Sequence, residues 1–301
     1  MNSIKKKKAI DKIVQTIFLL LGMLCASTII IVIVFILIKG LKPFFANYDG
    51  IRMNFLKFLF GTTFMKGNYG VLGLIINTLF IVLMVALIAL PISVLTALFI
   101  TRIAPKKIGN IMQIIVELLS SIPSIIYGLF GMGFINPLIR NFASSIGLQT
   151  AGGVSTLSVI IVLIMMVIPT ITILSITSMK AVSEDLVLAS LALGASTQKT
   201  NFKIVIRGAK SGILAALILG IGRAIGEATA VSMVCGGANG ISIGLFDPTS
   251  TLTSAMMQGI YESSGLDYDI RFSVGIVLIV IIFTSNLLLN KLKKWICRHD
   301  K

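Results

Sequence analysis

The sequence predicts an all-α integral membrane protein of about six transmembrane helices. Three observations carry this reading. First, 56% of the 301 residues are hydrophobic, only 12% are charged, and the mean hydropathy is +1.02. A soluble domain is about 45–50% apolar and about 25% charged, so a soluble enzyme, a disordered chain and a nucleic-acid binder are excluded. Second, the apolar residues are gathered into six long runs. Third, the 26 Lys and Arg are divided among loops and two tails, not collected on one face as a nucleic-acid footprint requires.

The spans follow in order. About 20 apolar residues are needed to cross about 30 Å of hydrocarbon. The runs at about 13–38, 71–100, 111–135, 155–178, 211–235 and 272–290 meet that length. Pro91 is expected to break the second. The third contains Glu117 and Pro123, and Pro169 lies near the centre of the fourth. The basic run at residues 5–8 resembles the start of a signal peptide, but the apolar stretch behind it is much longer than the roughly 7–15 residues of such a peptide. It is read as a retained first span. The chain then divides into a basic N-terminus (1–12), a membrane domain (13–292) and a basic tail (293–301).

Six spans put both termini on one side. That side holds Lys5 to Lys8, Lys12, Arg102, Lys106, Lys107, Lys180, Lys199, Lys203, Arg207, Lys210, Lys291, Lys293, Lys294, Arg298 and Lys301. The other holds Lys39, Lys42, Arg52, Lys57, Lys66, Arg140 and Arg271. Eighteen against seven makes both termini cytoplasmic. The external loop 236–270 carries only acidic charges and much Gly and Ser, with a short helix expected near Leu252 to Tyr261. The cytoplasmic loop 179–210 is long for a connection. Leu186, Ala189, Ala192 and Leu193 give it a helical apolar face, which Gly194 ends. An ordered amphipathic loop of this kind calls for a protein partner or a membrane surface.

Two charges fall inside the fifth span. Arg223 and Glu227 are four apart, so on a continuous helix they share a face and can pair. A charge at the bilayer centre costs about 2.5–3.5 kcal/mol and marks a pathway or a bundle interior. Two readings stay open: a buried ion pair that fixes helix packing, or a cation lining an anion route. The small residues Gly208, Gly212, Ala215, Gly222, Gly226 and Ala230 lie near the same line, and Gly222 with Gly226 makes a GxxxG pair for close packing. Glu117 either snorkels to the interface or lines a passage beside the Pro123 kink, where the hydroxyls of Ser121 and Ser124 can satisfy freed backbone groups. The run GASTQKT at 194–200 lacks the glycine before its lysine that a phosphate loop needs. Three scattered cysteines and one histidine, His299, offer no metal-ligand or catalytic spacing. The chain is therefore not expected to be an enzyme or to bind a cofactor, and any ATP is consumed on another subunit.

The loop 179–210 resembles the EAA loop of type I ABC importer permeases, whose pattern is EAA, three residues, G, nine residues, I-x-L-P. Leu188, Ala189 and Ser190 stand at EAA, Gly194 at G with Ala195 after it, Ile204 at I, and Ile206-Arg207 at L-P. Leu188 and Arg207 depart from the family's Glu and Pro. SIPSIIYG at 121–128, GIGRAIGE at 220–227, AVSM at 230–233 and YGVLGLIINT at 69–78 are similar to the phosphate permease of PstC type. The paired PstA-type permease shares a related Arg and Gly-Glu stretch. The resemblance implies a MetI-like permease fold with a cytoplasmic coupling helix, in the cell membrane of a prokaryote. It further implies a PstA-like permease partner, two PstB-like ATPase subunits carrying the ATP, and a PstS-like extracytoplasmic phosphate-binding protein. It places Arg223 in the inorganic phosphate passage with Glu227 as its partner. The residues alone leave sulfate, molybdate or another small solute open. An ion-coupled secondary transporter would show inverted repeats, and none is visible in the sequence.

Overall fold

The computed structural model describes residues 2–48 and 53–298, with side chains from residue 11 onward. Arg52, His299 and Lys301, and the side chains of Lys5 to Lys8, lie outside the described residues. The described chain is almost wholly helical, as the apolar runs require. Helix α1 (Asn2–Phe45) is followed by α2 (Phe55–Phe60) and a hairpin of β1 (Phe64–Met65) and β2 (Asn68–Tyr69). Next come α3 (Leu72–Leu98), extended by a π turn Phe99–Ile103, then α4 (Lys106–Ser121) and α5 (Ser124–Phe130). A second π turn, Gly131–Ile135, joins α5 to α6 (Asn136–Ser145). The remaining helices are α7 (Thr156–Lys180), α8 (Glu184–Ala192), α9 (Thr197–Thr200), α10 (Ile206–Gly208), α11 (Lys210–Gly226), α12 (Thr229–Val234), α13 (Leu252–Met257) and α14 (Leu266–Arg298).

Four helices are long and apolar enough to cross a membrane: α1 from Asp11, α3 with its π turn, α7 and α14. Two further stretches reach that length only as bent pairs. The stretches Lys106–Ser121 and Ser124–Ser145 meet at 91°, and Thr197–Gly208 meets Lys210–Gly226 at 64°. Helices α3, α7 and α11 pack along one another and form the core, with Ile81, Val85, Leu163, Val167, Ile171 and Ala216 buried between them. Helix α1 packs chiefly on α14, and its other side chains, such as Phe18 and Leu24, stay exposed for lipid.

The expected break at Pro91 does not occur: α3 runs through it, as α7 runs through Pro169. These two helices are packed together over their length, and Ser93 Oγ donates to the Ile168 carbonyl at 3.2 Å. Neighbouring helices and hydroxyls of this kind let prolines stay inside transmembrane helices. Pro123 acts differently. It holds Ile122 in extended backbone (φ −64°, ψ 127°) and ends α4. The carbonyls freed there are taken up by side chains: Ser121 Oγ donates to Leu118 O at 2.7 Å, and Tyr127 OH donates to Leu119 O at 2.8 Å.

At the start of α14, Asp269 is buried. It accepts from Tyr48 and pairs with Lys42 at 3.1 Å and Lys39 at 3.7 Å. Lys66 pairs with Asp267 at 3.7 Å. Three acidic or phenolic groups, Asp267, Asp269 and Tyr48, thus meet Lys39, Lys42 and Lys66.

The irregular loop after α12 is fastened by α3. Asn77 Nδ2 donates to Gly240 O at 3.0 Å and Ser250 O at 3.2 Å, and its Oδ1 accepts from Ser242 N at 2.8 Å. Thr78 Oγ1 accepts from Leu252 N at 3.0 Å, beside a capping box formed by Thr251 and Ser254. Asn77 is fully buried, so Asn77→Leu would strand three backbone groups. Each stranded group costs about 1–3 kcal/mol. We expect the variant's thermal unfolding in detergent to fall by at least about 3 kcal/mol, with early protease cleavage in 236–252. Wild-type stability would show that the loop is held elsewhere.

Candidate functional site: a cleft beside Arg223

Helix α11 is rich in small residues because it must come close to α7. A Cβ built on Gly220 would lie 2.8 Å from Ile171 Cγ1, and one on Gly212 would lie 2.0 Å from Ser178 Oγ. The expected GxxxG contact at Gly222 and Gly226 is different from this. Both glycines face open space within the chain. The span is also not one helix. It bends at Ala209 and ends at Gly226, so the six small residues do not form one continuous stripe.

Gly222 opens onto a cleft of about 570 Å³ between α7, α11 and α14. Arg223 sits in this cleft with Thr170 of α7 and Asn286 and Asn290 of α14, among apolar walls from Ala215, Ile218 and Leu219. Arg223 Nη1 donates to Thr170 Oγ1 at 2.7 Å. A guanidinium has five N–H donors, and one anchor fixes its aim while others stay available to an anion. The two asparagines were missed from sequence. Their signal was present: a polar pair at i, i+4 on one face of an otherwise apolar run.

The expected Arg223–Glu227 pair is not formed. Among the described residues no ion pair joins them. Glu227 follows the last residue of α11 in extended backbone (φ −74°, ψ 117°), so the i, i+4 geometry is lost. Its carboxylate accepts from Ala230 N at 3.0 Å, and its carbonyl accepts from Thr253 Oγ1 at 2.7 Å. Glu227 therefore organises the break between α11 and α12. The short helix α12 then packs on α5. A Cβ on Gly128 would lie 3.0 Å from Ala230 Cα, so the two broken spans meet where that side chain is missing. Pro123 and Ser124 start α5 and so set this contact, and among the described residues no side-chain hydrogen bond holds Ser124. Glu117 is exposed and accepts from Gln113 Nε2 at 2.8 Å, while Gln113 accepts from Lys180 Nζ at 2.8 Å.

Residues 179–210 form a compact unit. Ser183 caps α8, which buries none of its residues. Gly194 takes φ +82° just past it. Its N–H bonds Leu191 O at 2.9 Å, and Ala195 N–H bonds Ser190 O at 3.2 Å. This pair of bonds is the Schellman close of a helix, where glycine avoids the left-handed penalty. Ser190 Oγ meets Thr200 Oγ1 at 2.9 Å and ties α8 to α9, whose first turn Ser196 caps. Ala189 is exposed and Ile204 half-buried. Arg102 pairs with Glu184 at 3.2 Å and donates to Met179 O at 3.3 Å, fixing the loop to the end of α7. Leu186, Leu188, Leu191 and Leu193 face outward, with Leu193 90% exposed. An apolar patch on a fixed helix is a docking surface in search of a partner.

Comparison with known proteins gives a consistent result. Residues 89–299 match the family model of binding-protein-dependent transport system inner membrane components. The chain is 34% identical over 274 residues to the probable ABC transporter permease protein YqgH of Bacillus subtilis, covering 90% of this chain and 86% of that one. It is 29% identical over 248 residues to the phosphate transport system permease protein PstC of Pasteurella multocida, covering 76% and 78%. Among solved structures, a bacterial ABC transporter involved in the import of alginate superposes with a TM-score of 0.62 over 93% of this chain and 96% of its own, at 19% identity. That likeness carries the type I permease fold.

The glycine geometry separates packing from cleft. Gly220→Leu must displace Ile171 and Val167, which is expected to cost about 1–3 kcal/mol as overpacking. Gly222→Leu enters open space, and with better helix propensity it should match wild type or exceed it by up to about 1 kcal/mol. Thermal unfolding of the purified chain tests both. Equal losses would place Gly222 in a packed contact.

Proposed function

The chain belongs to the family of binding-protein-dependent transport system inner membrane components, and on that premise we propose that it is the PstC-type permease subunit of an ATP-driven importer of inorganic phosphate. The observation that carries the reading is Arg223: a guanidinium anchored on one hydroxyl, in an open cleft at membrane depth, with amides opposite. A cation in hydrocarbon is costly unless it serves a bundle or a pathway, and the lost pairing with Glu227 leaves it suited to an anion. The phosphate transport relatives supply the choice of phosphate.

The chain works as a transport subunit and catalyses no reaction of its own. A PstA-like permease closes the open face of the cleft. Two PstB-like ATPases hydrolyse ATP beneath the coupling loops, and a PstS-like binding protein delivers phosphate to the outer mouth. Helix α8 is the coupling helix, and its outward leucines support docking on an ATPase groove. Leu188 makes that contact apolar where the family's glutamate is polar. The subunit lies in the cell membrane of a prokaryote with both termini cytoplasmic. The excess of Lys and Arg on that side supports this, and so does the pairing of Lys39, Lys42 and Lys66 with acidic residues at the other end.

Uptake of radiolabelled phosphate in cells with and without the chain tests the proposal. Uptake should require the chain, resist sulfate and molybdate, and vanish in Arg223→Ala while the subunits still co-purify. Equal competition by sulfate, or normal uptake by the variant, would contradict it. In a reconstituted complex, Gly194→Leu forces a left-handed Leu costing about 1–2 kcal/mol. We expect ATP hydrolysis to continue with phosphate transport lost, and unchanged coupling would remove the role given to α8.

A further inference from the structure

The cleft has a direction. Lys210 at the start of α11 donates through Nζ to the carbonyl of Ile296 on α14 at 3.0 Å, which sets the two helices at a common level. At about 1.5 Å per residue, Arg223 stands about 20 Å above that level, Asn286 about 15 Å and Asn290 about 9 Å. The three side chains line one cleft, so they descend in steps from the guanidinium toward the end of the molecule that carries α8. Asn286 is half-buried and Asn290 exposed, and among the described residues neither amide has a hydrogen-bond partner. An unpaired amide facing hydrocarbon is costly. Asn286, the deeper of the two, calls for something polar in the cleft, and Asn290 stands one turn on at i+4 toward the interface.

We propose that Asn286 and Asn290 form a neutral hydrogen-bond relay that takes the anion from Arg223 and passes it toward the cytoplasmic end. The inference rests on the transport reading above and names the step after the charged site. A route must bind its ion well enough to admit it and weakly enough to release it. A second cation below Arg223 would hold an oxyanion, whereas an apolar wall would give it no donor. An amide NH₂ offers two donors and no charge. Asn286 meets an oxyanion leaving Arg223, and Asn290 meets it one helical turn later, next to the water of the interface.

The test uses the assembled importer in cells and in proteoliposomes, with radiolabelled phosphate as the probe. Loss of a hydrogen bond to a charged group is worth about 1.5–3 kcal/mol, so Asn286→Leu with Asn290→Leu should lower maximal uptake about tenfold or more. The half-saturating phosphate concentration should stay as in wild type, because delivery and Arg223 are untouched. Asn286→Gln keeps the amide and should retain most uptake. Asn286→Asp adds a negative charge and should fall below Asn286→Leu. Wild-type uptake by the double variant, in cells where Arg223→Ala abolishes it, would overturn the relay and leave the transport reading standing. Equal uptake by the Asp and Leu variants would overturn it too. So would failure of the double variant to co-purify with its partner permease, since that would make the amides interface contacts. No phosphate uptake by the wild-type complex would overturn the transport reading itself, and the relay with it.

Discussion

Hydrocarbon offers no partner to a backbone N–H or C=O, so each one must be satisfied within the protein. This constraint shapes the chain. Four spans meet it as continuous helices. The other two break, and at each break side chains stand in for the missing ladder. Ser121 and Tyr127 take the carbonyls above Pro123, Glu227 takes an amide of α12, and Thr253 bonds the Glu227 carbonyl. Asn77 and Thr78 do the same for the loop that returns from α12 to α13. The polar residues of this membrane domain are largely accounted for by irregular backbone.

Arg223, Asn286 and Asn290 form a separate polar group. They serve no break and lie together on one cleft. The break at Gly226 turns Glu227 away and leaves Thr170 as the anchor of the guanidinium, while Gly222 faces open space. The α7–α11 contact runs instead through Gly212 and Gly220. A span that packs on one side and opens on the other suits a passage shared with a second subunit. At the start of α14, Asp269 binds α1 to α14 through Lys39, Lys42 and Tyr48. At the opposite end of the helices, Arg102 and the Schellman close at Gly194 hold α8 in place.

Much of this was legible in the sequence because the membrane imposes length and composition directly. The four continuous spans, the helical stretch in 179–210, the glycine that ends it and the short helix after Thr251 all follow from local signals. What was not legible depended on tertiary neighbours. Pro91, Pro123 and Pro169 look alike in sequence, yet α3 and α7 support two of them while Ile122 goes extended before the third. The Arg223–Glu227 pair was inferred from helical spacing, and the helix stops between them. Asn286 and Asn290 were overlooked because attention went to charges, although an amide pair in an apolar run is also a polar signal.

The central claim is that the cleft beside Arg223 carries the anion. Thiol accessibility at Gly222 tests it most directly. Gly222→Cys, in a background where Cys25, Cys235 and Cys297 are replaced, would be treated in the assembled complex with a negatively charged thiol reagent, with and without phosphate. The account predicts modification that is faster than with a neutral reagent and slowed by phosphate. A cysteine that is inert to the reagent, or one that reacts equally fast with phosphate present, would contradict it.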